Sequence, residues 1–164
     1  MTLRLVDLPL PVVLALRDGD VASAERLIGL PIPSEFAGRT DVWTFMITLL
    51  EGRPDNATWT MNAVVRGDEI VGNAGFKGAP DERGEIELGY GILTAHRRQG
   101  LAVAAARLLL ARAESEPTVT RVLATIHPDN AASIGVITKA GFTPDGDRIH
   151  PRWGRQLRFL KSAA

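Results

Sequence analysis

The sequence predicts an α+β fold, with helices packed on a mixed, mostly antiparallel sheet. Three observations predict it. Residues 58–92 hold three period-two, β-branched stretches separated by short turns, the pattern of an antiparallel meander. Two strong helical patterns follow, LAVAAARLLLARAESE and NAASIGVITKAGF, with the strand-like VTRVLATI between them. The chain has 164 residues and is 45% hydrophobic, which suits one domain over 1–164 with one core and excludes a disordered composition.

In chain order, residues 2–7 read as a short strand. DGDVASAERLIGL places Val21, Ala24, Leu27 and Ile28 at helical spacing, with Asp20 as cap and Gly29 as stop. PIPSEFAGR reads as a loop. TDVWTFMITLLEG repeats the helical pattern, with Asp41 as cap and Gly52 as end. WTMNAVV, EIVGNAGF and GEIELGYGI form the meander, joined by RGDE and KGAPDERG. In the helix of NAASIGVITKAGF, Asn130 caps, Ala131, Ile134 and Ile137 share a stripe, and Gly141 ends it. TPDGDRIHP reads as a turn region and RWGRQLRFLK as the last strand. The expected order is β-α-α-β-β-β-α-β-α-β, with about four helices flanking the sheet.

Lys+Arg and Asp+Glu both number 19, so no basic field for nucleic acid exists. The arginines and tryptophan of RIHPRWGRQLR are too few to suggest RNA binding. With no cysteine, a thiol nucleophile, a disulfide framework and a thiolate metal site are excluded. This fits a reducing compartment, and a cytoplasmic location is the expectation. LPLPVVLAL follows Arg4 and imitates a targeting segment, but Asp7 precedes it, Pro9 and Pro11 interrupt it, and no small-x-small site follows. No run reaches the roughly 18 apolar residues of a membrane span, so no membrane partner is expected.

The junction RRQGLA, residues 97–102, joins a strand-like run to a helix-like one. A helix start carries unpaired N–H groups and partial positive charge, which together attract an anion. Gly100 lets a phosphate approach the backbone, Ala102 adds little bulk, and Arg97 and Arg98 supply charge-assisted bonds. Several amides in a row suit a pyrophosphate. The stretch contains neither GK[ST] nor GxGxxG, so it is neither kind of nucleotide loop.

The stretch ELGYGILTAHRRQGLAVAA resembles the coenzyme A-binding motif of the GNAT superfamily of N-acyltransferases. Arg97, Gly100 and Ala102 fill its Arg/Gln-x-x-Gly-x-Gly/Ala form. RVLATIHPDNAASIGVITKAGFT resembles the family's next motif through Asn130, Ser133, Lys139, Gly141 and Phe142. The likeness is best over residues 58–145 and looks most like the branch of ribosomal-protein N-terminal alanine acetyltransferases. It implies acetyl-CoA as co-substrate, with no metal. The pyrophosphate would sit on the amides of Arg98, Gln99, Gly100, Leu101 and Ala102. The pantetheine would pair with the backbone of Ile92 and Leu93 as an added strand. Asn130 would contact the pantetheine as well as cap the helix.

Acetyl transfer to an amine needs a neutral nitrogen within reach of the thioester, a held oxyanion and a leaving thiolate. Alternation along GEIELGYGI puts Glu85, Glu87, Gly89 and Gly91 on one face and Ile86, Leu88, Tyr90 and Ile92 on the other. The two glycines would open room for a thioester, with the carboxylates lining the approach. Glu87, the Glu of the family's Glu-x-Gly-Tyr pattern, is the candidate base, or the group that orients a water base; the alternative is a solvated strand face. Many family members carry a proton-donating tyrosine at the position held here by Ile137, and the single tyrosine is Tyr90. Ser133 is the candidate to reach the CoA sulfur, its alternative being a local helix hydrogen bond. His96 reads as a phosphate ligand or a solvated turn residue. Trp43, Trp59 and Trp153 read as core or as acceptor-cleft walls. No His or carboxylate spacing suggests a metal.

The reading is therefore an acetyl-CoA-dependent N-acetyltransferase. Its acceptor amine belongs to a protein N-terminus or a small molecule, and a homodimer is compatible with the chain. A non-catalytic acyl-CoA-binding or regulatory domain of the same fold, and an unrelated phosphate binder, are the alternatives.

Overall fold

The computed structural model describes residues 2–163. Seven strands are present: β1 (Leu3–Asp7), β2 (Met61–Arg66), β3 (Glu69–Phe76), β4 (Glu85–Ile92), β5 (Arg121–Ile126), β6 (Thr143–His150) and β7 (Gly154–Ser162). Six helices accompany them: α1 (Leu10–Arg17), α2 (Val21–Ile28), α3 (Ser34–Ala37), α4 (Thr40–Gly52), α5 (Leu101–Glu114) and α6 (Ala131–Lys139). The sheet order is β1-β2-β3-β4-β5-β7-β6. Every neighbouring pair is antiparallel except β4 with β5. The α+β class and the antiparallel meander stand as expected.

Four features differ from the sequence reading. The targeting-like run is helix α1, which buries Val12, Val13 and Leu16; its Pro11 falls in the first turn, where a missing N–H costs nothing. The segment read as a turn region is β6, the outer strand, which pairs with β7 across a bulge between Pro144 and Asp147. Its turn-forming composition is tolerated because one edge of the strand faces solvent. The loop PIPSEFAGR contains the single turn α3. Asp41 is not the cap of α4: the helix begins one residue earlier, with Arg39 in the capping position and Asp41 in the first turn.

The sheet has a core on each face. On one, Ala105, Ala106 and Leu109 of α5 meet Val64, Ala74, Phe76, Ile86 and Leu88. On the other, Val12 and Val13 of α1, Phe36 of α3 and Trp43 and Met46 of α4 meet Met61, Ala63, Val65 and Ile70. Strand β2 thus supplies Val64 to one core and Ala63 and Val65 to the other, as period-two alternation requires. Trp43 is fully buried and Trp59 nearly so, while Trp153 is 55% exposed at the β6–β7 turn, stacked on His150.

Candidate active site

Strands β4 and β5 pair only through Glu85, Ile86 and Glu87 with Arg121, Val122 and Leu123. Beyond Glu87 the strands part. On the β3 side, the Lys77 N–H donates to the Glu87 carbonyl at 2.8 Å and the Leu93 N–H to the Val71 carbonyl at 2.9 Å. Alternation therefore turns the main chain of Leu88, Tyr90 and Ile92 toward the gap.

The gap opens onto the start of α5. Gly100 caps that helix in the left-handed region, at φ 74°, and Arg98 shares the region at φ 61°. Among the described residues, no acceptor meets the six consecutive N–H groups of Arg98 to Val103; the first satisfied amide is that of Ala104, bonded to the Gly100 carbonyl at 3.1 Å. Five of these six residues, Arg98, Gly100, Leu101, Ala102 and Val103, line a cleft of about 640 Å³ between α5, α6 and the end of β4. Ile92, Arg97, Arg98, Gly100, Leu101, Ala102, Asn130 and Ser133 all line it, and Lys139 adds a third cation. Cations, free amides and space for an extended ligand fit the phosphates and arm of a coenzyme A molecule.

Four expected residues are placed otherwise, in whole or in part. Leu93 cannot pair with an added strand, because its N–H belongs to β3 and its side chain, 3% exposed, packs in the α1–α4 core. The Ile92 carbonyl already accepts from Arg97 Nε at 3.2 Å and from Arg39 Nη2 at 3.4 Å, which leaves the Ile92 N–H and the Tyr90 main chain toward the gap. The Gln99 side chain turns away to Arg66, accepting from Nη1 at 2.9 Å, and the residue does not line the cleft. His96 lines the cleft with its ring nitrogens near Arg66 (3.3 Å) and Glu69 (3.3 Å), and is neither solvated nor free for a phosphate.

Helix α6 forms the other wall. Asn130 caps it by accepting from the Ser133 N–H at 3.1 Å. Ser133 Oγ lies 2.9 Å from the hydroxyl of Tyr90, so the tyrosine crosses from β4 to the start of α6. Ile137 is fully buried in the core. Asn130→Ala is expected to cost about 1 kcal/mol and lower Tm by roughly 2–4 °C, read by thermal melting.

The opposite face of β4 is polar. Glu87 accepts from Lys77 Nζ at 2.6 Å and from Thr125 Oγ1 at 2.6 Å, with Arg148 Nη2 at 3.4 Å. Burial pushes the Glu87 carboxyl up, but Lys77, Thr125 and Arg148 outweigh it and hold the group below its ordinary range. Glu85 lies 3.7 Å from Arg121 and 4.0 Å from Arg158. Neither glutamate is therefore a plain solvated side chain. The room expected beside the two glycines is filled: a Cβ at Gly91 would run into Arg39 Nη1, and one at Gly89 would lie 2.9 Å from Met61 Cε. Arg39 is held there by Asn73 Oδ1 at 2.7 Å. Nothing in the sequence pointed to Arg39 or to the Tyr90–Ser133 bond, since their partners lie 34 and 43 residues away. Among the described residues, no three His, Cys, Asp or Glu side chains cluster to hold a metal. Nor, among those residues, is any helix long and apolar enough to cross a membrane.

Known proteins are similar to this chain in sequence and in fold. The profile of the acetyltransferase (GNAT) domain family matches residues 15–143. An uncharacterized N-acetyltransferase of Bacillus subtilis (strain 168), YjdG, is 46% identical over 74 residues, covering 45% of this chain and 44% of that protein. The match thus spans under half the length of that curated relative. Among solved structures, RimL, a ribosomal L7/L12 alpha-N-protein acetyltransferase in complex with coenzyme A, superposes with a TM-score of 0.69 at 16% identity, over 99% of this chain and 94% of that one. The microcin C7 self-immunity acetyltransferase MccE, in complex with acetyl-CoA and AMP, gives 0.68 at 15% identity, over 98% and 92%. At such identities these two speak to the fold.

Proposed function

Because this chain belongs to the GNAT acetyltransferase domain family, we propose that it transfers the acetyl group of acetyl-CoA to a primary amine of a protein N-terminus or a small molecule. One observation carries the reading: Arg98, Gly100, Leu101, Ala102 and Val103, whose amides are unpaired, line the same cleft as the unpaired end of β4. One grips a diphosphate; the other lies where a thioester on the same molecule would reach.

The residues divide the work by face. On the α5–α6 face, Arg97, Arg98, Lys139 and the amides of Arg98 to Ala102 bind the phosphates, with Asn130 and Ser133 flanking the arm. The N–H of Ile92 or Tyr90 points into the gap and serves the oxyanion. On the other face, Glu87 orients a water that takes the ammonium proton. A carboxylate tied to Lys77 and Arg148 is a weak proton acceptor but a firm hydrogen-bond acceptor, which favours this role over direct proton abstraction. The amine nitrogen then bonds to the acetyl carbon, the carbon–sulfur bond breaks, and the second ammonium proton passes to solvent.

The test is twofold. Acetyl-CoA at about a hundred times its Kd is expected to raise Tm by roughly 5–10 °C, where inorganic phosphate at the same concentration does not. Thiol release from acetyl-CoA is then followed with peptides, amino acids, polyamines and aminoglycosides. Stabilisation without turnover on any amine would favour a non-catalytic CoA-binding domain. No stabilisation beyond phosphate would remove the reading altogether.

A further inference from the structure

The leaving sulfur needs a partner, and the cleft offers few groups that can be one. Arg97, Arg98 and Lys139 sit where the phosphates would take them, and His96 is engaged by Arg66 and Glu69. Ile137 brings no polar atom. Among the described residues, the hydroxyls lining the cleft are Ser133 and Tyr90, and they touch each other.

The direction of that contact follows from chemistry. A phenol is far more acidic than an alkyl hydroxyl, so Tyr90 is the better donor, and Ser133 Oγ at 2.9 Å is a nearer acceptor for it than the Ser133 carbonyl at 3.4 Å. The Tyr90 ring is half-buried, and burial pushes its ionisation upward against the Ser133 bond, which keeps the phenol protonated across the neutral range. With its Oγ accepting from Tyr90, Ser133 has one proton left to place. That proton cannot return to Tyr90, and the serine lies at the mouth of α6, where the helix's positive end already favours an anion. A donor that itself accepts a hydrogen bond is polarised by it.

We propose that Tyr90 is a positioning residue which, through its 2.9 Å bond to Ser133 Oγ, turns the Ser133 hydroxyl toward the CoA sulfur so that the serine holds the leaving thiolate. The inference rests on the functional reading above, and no proton transfer is required of either residue. The pair acts as one unit: Ser133 touches the sulfur, and Tyr90 acts through it.

The experiment needs no acceptor. The wild type, Tyr90→Phe, Ser133→Ala and the double variant are loaded with CoA, and the bound thiol is titrated by its ultraviolet thiolate absorbance. Tyr90→Phe and Ser133→Ala are each expected to raise the thiol pKa by about half a unit. The double variant should move it no further than Ser133→Ala alone. In Tyr90→Phe, CoA affinity should change by less than about threefold, which a merely structural tyrosine would not predict alongside a shifted thiol.

An unchanged thiol pKa in Tyr90→Phe, or additive shifts in the double variant, overturns the proposal. Should Tyr90→Phe fail to fold, Tyr90 still decides it. The chain has 1 tyrosine, so phenolate absorbance reports that residue alone. Its midpoint should rise when CoA binds, and rise more in the wild type than in Ser133→Ala, because the linking hydroxyl transmits the thiolate's charge. Equal rises overturn the proposal as well. A wild type that takes up no CoA overturns the functional reading itself, an outcome distinct from bound CoA with an unmoved thiol.

Discussion

Replacing Gly100 by valine is expected to weaken CoA binding by about a hundredfold while leaving the protein folded. The residue caps α5 at φ 74° and ψ 8°, a left-handed conformation that a β-branched side chain tolerates worst. An added Cβ would meet nothing within 4 Å, so the fold does not forbid it by collision. The cost is conformational, about 1–3 kcal/mol, and the backbone relieves it by rotating out of the left-handed region. That rotation turns the amides of Gly100 and Leu101 away from a common anion. Losing two charge-assisted hydrogen bonds, discounted for exchange with water, comes to about 3 kcal/mol, or two decades in Kd. Calorimetric titration with CoA checks this. A melting temperature a few degrees lower with an unchanged Kd would mean that the phosphates are held elsewhere.

Glu87→Gln is expected to lower kcat about a hundredfold and leave the Kd for CoA unchanged. The affinity is spared because the carboxylate lies on the sheet face opposite the amide row. The rate falls because a neutral amide orients a water less firmly and offers no negative charge to a departing ammonium proton. The same change has a thermodynamic signature. Lys77 and Arg148 lose their shared carboxylate while 30% and 34% exposed, so solvent offsets much of the loss and roughly 1–2 kcal/mol remains. The folded carboxyl titrates below the ordinary value of 4.5, so its contribution is fully present above that value. It is lost as pH falls through the depressed folded value. The melting-temperature gap between wild type and variant should thus hold from pH 7 to about 5 and close in stronger acid. A gap that widens in acid would mean that Glu87 is not ion-paired.

Much of this was legible in the sequence wherever the signal is local. Asp20 and Asn130 cap their helices as their residue types suggest, and the alternation in GEIELGYGI divides glutamates and glycines from apolar residues as drawn. The amide row at Gly100 could be anticipated because it depends on a glycine and a helix start a residue apart. Segments with conflicting local signals are not legible in this way. LPVVLALR is apolar on too many sides to show a helical stripe, because α1 is wedged between sheet, α2 and α4. β6 contains Pro144, Asp145, Gly146 and Asp147, a turn composition that only pairing with β7 overrides. What fills the space over Gly91 could not be read at all. An arginine 52 positions earlier occupies it, and a glycine in a strand announces a close approach without saying of what.

The outer strand has one further consequence. An unpaired strand edge is a template on which another chain can extend the sheet, the route by which sheet proteins stick to themselves. Here that edge carries a proline that cannot donate, carboxylates at 145 and 147, and a bulge that breaks the register after Pro144. Each interrupts a continuous ladder. The turn-like residues of β6 thus double as protection against aggregation, and they disfavour edge-to-edge growth over the 144–147 stretch of this strand.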